Sequence, residues 1–252
     1  MDGPFGGIQV SGGLNVTGPA RGIQATGGAN VAGGDLDGVQ VSGGLNVAGD
    51  VDGVQTSGGV NVARDVEGLQ VGPVNVAGDV HGVQVGVVNI CDHLDGVPIA
   101  VVTICRDGIL HGLVWTDDLV MVNAGIQLGS HRFYTLYGAG FAPPWDGRVD
   151  RFAINGGGGV RLWRGRVDLD LDLYSTTVLV RPFTWEHTGQ IVRARIVAAL
   201  PLGGRIAPFA GASIGLDLPD ASRDPGAIFE GWPVHPGWDS RLRPGFVAGM
   251  RF

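Results

Sequence analysis

The stretch GVQVSGGLNVAGDVDG, residues 38–53, decides the fold. Val39-Gln40-Val41 and Leu45-Asn46-Val47 each alternate apolar and amide side chains, the period-2 pattern of a strand with two unlike faces. Gly43 and Gly44 separate the two runs, and Asp50-Val51-Asp52-Gly53 follows with turn chemistry. The unit then recurs. A glycine followed by Val, Ile or Leu and then Gln stands at Gly7, Gly22, Gly38, Gly53, Gly68 and Gly82, spaced 15, 16, 15, 15 and 14 residues apart. A degenerate copy begins at Gly96, with Pro98 in the Gln slot. Each full copy carries an asparagine: Asn15, Asn30, Asn46, Asn61, Asn75 and Asn89. Self-similarity at a short fixed period is the mark of a solenoid or a strand array.

Two architectures accommodate the repeat. In the first, each copy folds as two short strands joined at a corner, and copies stack as a β-solenoid. In the second, each copy is one long strand, and the whole chain closes into a continuous barrel of about 15–16 strands. The later copies favour the first. The step from Gln to Asn shortens from six residues to five in the copies at Gly68 and Gly82. Losing one residue inside a continuous strand turns everything after it to the other face, whereas a corner absorbs the loss. In the solenoid the valines and leucines are expected inside, with Gln and Asn on outer faces or capping the strands.

The two cysteines follow from the same arithmetic. Cys91 and Cys105 occupy the slot held by Ala48, Ala63 and Ala77, one repeat apart. Rungs about 4.8 Å apart bring them within disulfide range, and a pair of small buried thiols is the alternative. The acids Asp35/Asp37, Asp50/Asp52, Asp65/Glu67 and Asp79 with His81 also recur by repeat. A carboxylate ladder has the oxygen donors that Ca²⁺ takes. The nonapeptide spacing of calcium β-rolls is missing, however, and Asp-Gly turns account for the acids, so no metal site is assigned.

Composition divides the chain near residue 108. Of 252 residues, 46 are glycine and none is lysine, and 17 arginines against 24 acids give a net charge of −7. Residues 1–108 hold 3 arginines, 11 acids and a single aromatic, Phe5, while residues 109–252 hold the other 14 arginines and 17 aromatics. No basic tract exists to neutralise phosphates, which excludes nucleic acid as an expected partner. No apolar run approaches the ~20 residues of a membrane helix. The opening Met-Asp-Gly-Pro-Phe has neither basic nor apolar signal-peptide regions, and an upstream leader is the working assumption.

Residues 109–252 read as eight longer strands: 109–116, 119–129, 132–142, 151–161, 166–175, 190–200, 206–217 and 243–252. Short links (Ser130-His131, 162–165, 201–205) alternate with longer ones (143–150, 176–189, 218–242), apart from the short first link Asp117-Asp118. Strand lengths of about 9–11 residues and alternating loop lengths are those of an outer-membrane β-barrel. An eight-stranded barrel must fill its interior with side chains. Asp168, Asp170 and Asp172 share one face of a strand, and Arg193 and Arg195 share one face of the next. A hairpin centred on the 176–189 loop sets Asp172 against Arg193 and Asp170 against Arg195, a salt-bridge ladder plugging the lumen. A solvent-facing charged sheet is the alternative. Trp115, Phe141, Trp145, Trp163, Tyr174 and Trp185 lie near strand ends, where interface girdles form. Trp232, His235 and Trp238, in a proline-rich loop, are the best candidates for ligand binding.

Phe252 ends the chain, with Met250, Ala248 and Phe246 at every second position before it. This resembles the C-terminal signal of bacterial outer-membrane barrels, and implies a lipid bilayer and the barrel-assembly machinery as partners. The whole chain is similar to a family of uncharacterised bacterial surface-repeat proteins built from G-[VIL]-Q-x-G-[VL]-[VI]-N-[VI]-A copies followed by a β-rich tail. The matching stretches are Gly68–Ala77, Gly82–Cys91, Asp95–Ala100 through Arg106-Asp107-Gly108, and Arg132–Gly140. The chain departs from it in the extra glycines of the first four copies and in lacking a leader. The resemblance implies a cell-surface location and carries no catalytic residues.

Gly-x-Ser-x-Gly, His-Glu-x-x-His, Cys-x-x-Cys and phosphate-loop motifs are all missing, and the histidines at 81, 93, 111, 131, 187 and 235 are scattered. A membrane-barrel lipase built on His111, Ser175 and His187 has little support. The expectation is a non-enzymatic, cofactor-free outer-membrane or surface protein with a structural or interaction role. The ligand is open, and an outer-membrane pore is the alternative.

Overall fold

The computed structural model describes residues 3–142, 151–180, 188–203, 206–218, 232–233 and 240–252. Every regular element in it is a strand. The chain divides into two compact units, Met1–Ile109 with Leu128–Phe133, and Leu110–Gln127 with Tyr134–Phe252.

The first unit is a β-solenoid of seven rungs, each contributing one strand to each of two parallel sheets. One sheet takes β1 (Phe5–Ser11), β3 (Ala20–Thr26), β5 (Leu36–Ser42), β7 (Val51–Ser57), β9 (Val66–Val71), β11 (Asp79–Val85) and β13 (His93–Ile99). The other takes β2 (Leu14–Thr17), β4 (Ala29–Ala32), β6 (Leu45–Val47), β8 (Val60–Val62), β10 (Val74–Val76), β12 (Val88–Cys91) and β14 (Val102–Cys105). Equivalent repeat positions pair in register, Gln40 with Gln55 and Asn46 with Asn61. Parallel stacking rules out the continuous barrel, whose neighbouring strands would run antiparallel. The one-residue shortening falls at a corner and leaves the register intact.

The inside of the solenoid is where the expectation fails. Gln24, Gln40, Gln55, Gln70 and Gln84, and all six repeat asparagines, are buried. Each Gln Nε2 donates to the Gln Oε1 of the preceding rung at 2.8–3.0 Å. Each Asn Nδ2 up to Asn75 donates to the Asn Oδ1 of the following rung at 2.8–3.0 Å. The spare Asn hydrogen reaches a strand carbonyl, as from Asn61 to Val71 O at 2.8 Å. A side-chain amide has two donors and one double acceptor, so a column of identical amides satisfies itself at every step. Beside these ladders lie two apolar columns, Leu36, Val51, Val66, Val80 and Leu94, and Ala32, Ala48, Ala63, Ala77, Cys91 and Cys105. The valines flanking the amides face outward, where Ile8 and Val10 are 72% and 73% exposed. Period-2 alternation distinguishes two faces but not which one is inside.

The repeat-leading glycines stack as a column at positive φ, 117–150° from Gly7 to Gly82. A Cβ on Gly53 would lie 2.0 Å from the Gly38 carbonyl oxygen, so only glycine fits. Cys91 and Cys105 pair across the last two rungs and form a disulfide.

The second unit is an antiparallel barrel of β15 (Ile109–Asp117), β16 (Val122–Gly129), β17 (Phe133–Ala142), β18 (Arg151–Trp163), β19 (Asp168–Val180), β20 (Thr188–Ala199), β21 (Ala207–Asp217), the short β22 (Trp232–Pro233) and β23 (Arg241–Arg251). Eight strands close the barrel through pairing of β15 with β23, Leu113 opposite Arg251, and β22 lies along β23. β19 and β20 run further than the sequence suggests, reaching Val180 and starting at Thr188.

Replacing Asn61 by Leu strands the Asn46 donor, the Asn75 acceptor and the Val71 carbonyl in the interior. At about 1–3 kcal/mol for a buried unsatisfied group, with partial relaxation, the expected loss is on the order of 3 kcal/mol in urea unfolding. Replacing both cysteines by serine opens a loop of 14 residues. The expected loss is about 3 kcal/mol, matched by adding reductant to the wild type.

Candidate functional site: the ion-paired barrel lumen

Alternation along β19 points Asp168, Asp170, Asp172 and Tyr174 into the barrel and Leu169, Leu171 and Leu173 out of it. Asp172 is 1% exposed and Leu173 is 61% exposed. On β20, Arg193 and Arg195 point in while Val192, Ala194 and Ile196 point out. The barrel is thus aliphatic outside, and inside it mixes the charged residues with apolar ones such as Leu136, Val197 and Phe209.

The expected ladder residues all reach the lumen, but in a different register. Asp172 lies opposite Arg195 and Tyr174 opposite Arg193, so the pairing is offset by two residues from the sequence estimate. The longer strands cause this: a shift of two keeps each residue on its face and changes only its partner. Arg195 Nε donates to Asp172 Oδ2 at 2.6 Å, and Tyr134 donates its hydroxyl to Oδ1 of the same carboxylate. The Arg195 guanidinium is also flanked by the Tyr174 and Trp115 rings, at 4.8 Å and 5.7 Å from their centroids. Asp170 is held by two guanidiniums, Arg161 through Nε at 2.8 Å and Arg251 through Nη1 at 2.9 Å. Asp168 lies 3.6 Å from Arg251 Nη2. Arg193 pairs with Asp118, and Arg243 Nε with Asp217 at 2.7 Å.

Asp117 organises the other end of the network. Its Oδ1 accepts the amides of Leu119 and Val120 at 2.9 Å each, which folds the tight link after β15. Its Oδ2 accepts from Trp115 Nε1 and Asn123 Nδ2, both at 3.3 Å. Asn123 continues through Asn155 to Thr176. These partners were missed in the sequence, although parity announced several: Tyr174 shares the register of Asp168–Asp172. Parity also corrects the girdle, because Trp115 and Tyr174 are buried lumen residues while Phe141 and Trp163 are exposed. Trp145 and Trp185 lie outside the described residues.

Room inside is small. The mid-lumen void between Asp170, Asp172, Arg195 and Phe209 is about 10 Å³, space for about one water. At one end a wider cavity of about 960 Å³ is lined by His111, Arg161, Arg164, Asp168, Arg251 and Phe252. Phe246 and Met250 are exposed on the last strand, and Phe252, just past its end, is exposed at the rim of that cavity. Trp232 is exposed beside β23, while His235, Trp238 and His187 lie outside the described residues.

The acidic column of the solenoid has a structural use. Asp35 and Asp65 accept the backbone amides of Asp50 and Asp79, one rung on, at 2.9 and 2.8 Å, and Arg64 bridges Asp50 and Asp35. No protein-family model, curated protein or solved structure matches the chain.

Asp170→Asn leaves the Arg161 and Arg251 guanidiniums facing a neutral amide. Breaking a buried pair from one side costs about 3–5 kcal/mol. Asp37→Asn, whose Arg21 pair is exposed, should leave stability unchanged. Urea titrations of the two variants test the contrast.

Proposed function

We propose that this chain is a bacterial outer-membrane protein whose barrel is a closed lipid-embedded anchor, with a non-enzymatic structural or surface-interaction role. The observation that carries the reading is the aliphatic outer face of a barrel that buries a charge network. Its strands turn Leu171, Leu173, Ile196, Ile214 and Met250 outward and bury aspartates and arginines. In water that arrangement exposes aliphatic surface and desolvates charge, both unfavourable; in a bilayer the outside matches the acyl chains and a closed barrel leaves no backbone edge unpaired.

Further support comes from the terminal Phe252 strand, from the alternation of link lengths, and from the disulfide, a bond that persists in oxidising compartments outside the cytosol. The resemblance to surface-repeat proteins points to the same location. Aliphatic residues also line both outward faces of the solenoid, an exposure that marks contact surfaces and not catalytic clefts. The mid-lumen void of about 10 Å³ argues against the pore reading.

Heat-modifiable migration of the detergent-extracted protein is the direct test. A folded band in cold SDS that shifts on boiling, with the chain confined to membranes, is the expected result. Recovery from the aqueous fraction without detergent overturns the proposal. Leu173→Arg sharpens the test, because an outward arginine near the bilayer midplane costs about 2–4 kcal/mol, while on a soluble sheet it is nearly neutral. Planar-bilayer recordings are expected to show no channel steps.

A further inference from the structure

Three side chains that the sequence scatters converge within the first compact unit. His93 opens β13, Asp107 follows β14, and His131 sits at the tip of the Leu128–Phe133 hairpin segment that belongs to the same unit. One nitrogen or carboxylate oxygen from each lies within 4.8 Å of the others. His93 Nδ1 is hydrogen-bonded to Asp107 Oδ2, and the His93 and His131 rings stack with centroids 5.2 Å apart and planes 17° from parallel. We propose that His93, Asp107 and His131 form a binding site for a divalent transition-metal ion of the Zn²⁺ class.

The chemistry of the donors selects that class. Two imidazoles and one carboxylate suit Zn²⁺, Ni²⁺ or Cu²⁺ better than Ca²⁺, which takes six to eight oxygens. Three protein ligands leave a fourth position for water, the arrangement of an open tetrahedral site. Zn–N and Zn–O bonds near 2.0–2.1 Å put neighbouring ligand atoms about 3.3 Å apart. His93 and His131 are half-buried and Asp107 is exposed, so the donors are reachable by an ion from solvent.

The backbone beneath the ligands is already fixed. His93 and Asp107 each stand two residues after a disulfide-bonded cysteine, Cys91 and Cys105, on consecutive rungs. The Asp107 amide donates to Asp92 O at 3.2 Å, and that of His93 to Gly78 O at 3.3 Å. Ser130 Oγ accepts the Phe133 amide at 3.0 Å and the Arg132 amide at 3.4 Å, which shapes the turn carrying His131. Asp79 precedes His93 in the same column and adds negative charge next to the site. A bound ion ties the turn carrying His131 to the last two rungs.

The test uses the tag-free full chain in detergent, titrated with ZnCl₂ alone by calorimetry and with Co²⁺ as a spectroscopic stand-in. One ion per chain is expected, with the visible bands of tetrahedral Co²⁺. His131→Ala and His93→Ala should each lower affinity by more than the roughly 10–100-fold that loss of an outer-shell partner causes. His81→Ala, an exposed histidine on the solenoid, should change nothing. Far-UV circular dichroism of each variant shows that it has folded, and Zn²⁺ should raise the melting temperature of the wild type but not of His131→Ala. No stoichiometric binding, binding that survives His131→Ala, or preference for Ca²⁺ overturns the proposal.

Discussion

A buried amide without a partner costs about 1–3 kcal/mol, and the solenoid packs columns of them against each other. The structure meets that constraint by translation: each Gln or Asn stands one strand spacing from an identical side chain, so its donor faces its neighbour's acceptor. The columns also run in opposite senses, Gln donating toward earlier rungs and Asn toward later ones. Their dipoles therefore oppose. Everything else in the unit is subordinate to that stacking. The glycine column lets strands approach without Cβ clashes, and the small Ala and Cys column leaves room beside the amides. Where the pattern stops the demand shows, for Pro98 replaces the donor that would serve Gln84, whose Oε1 has no protein partner.

The barrel answers the same demand with charge in place of amides. Its carboxylates are shared: Asp170 between two guanidiniums, Asp172 between a guanidinium and a phenol, Asp117 between backbone amides and side chains. Where a carboxylate is shared in this way its neighbours are coupled, so the effects of substitutions there will not add. Buried ion pairs contribute less to net stability than their number suggests, because desolvation offsets much of the attraction. What they provide here is specific register and a lumen nearly filled at its middle.

Much of this was legible from residues alone. Spacing located the rungs, the corner that absorbs one residue, and the slot shared by Cys91 and Cys105, because these depend on counting. Parity located the lumen face of β19 and β20. Two things were beyond counting. Alternation is symmetric between inside and outside, so the expectation of Gln and Asn on outer faces or capping the strands is overturned only by their mutual hydrogen bonds in the interior. Register depends on where a hairpin turns, and the residues between β19 and β20 carry no sharp turn signal, so Asp172 was matched with Arg193 instead of Arg195. The His93 and Asp107 pairing was available from the 14-residue repeat, but nothing in the sequence brings His131, 38 positions from His93, to the same place.

A core assembled from columns also has no intrinsic length. Each rung meets copies of itself above and below, so whole rungs can be inserted or deleted without creating a new kind of interior contact. A globular core, filled by side chains of complementary shape, has no such freedom. Fractions of a rung are different: a corner accepts one residue more or less, while a strand does not. Duplication or loss of one whole copy is therefore expected to leave the rung architecture intact. Copy number can thus drift among descendants of the gene while the architecture of each rung stays the same.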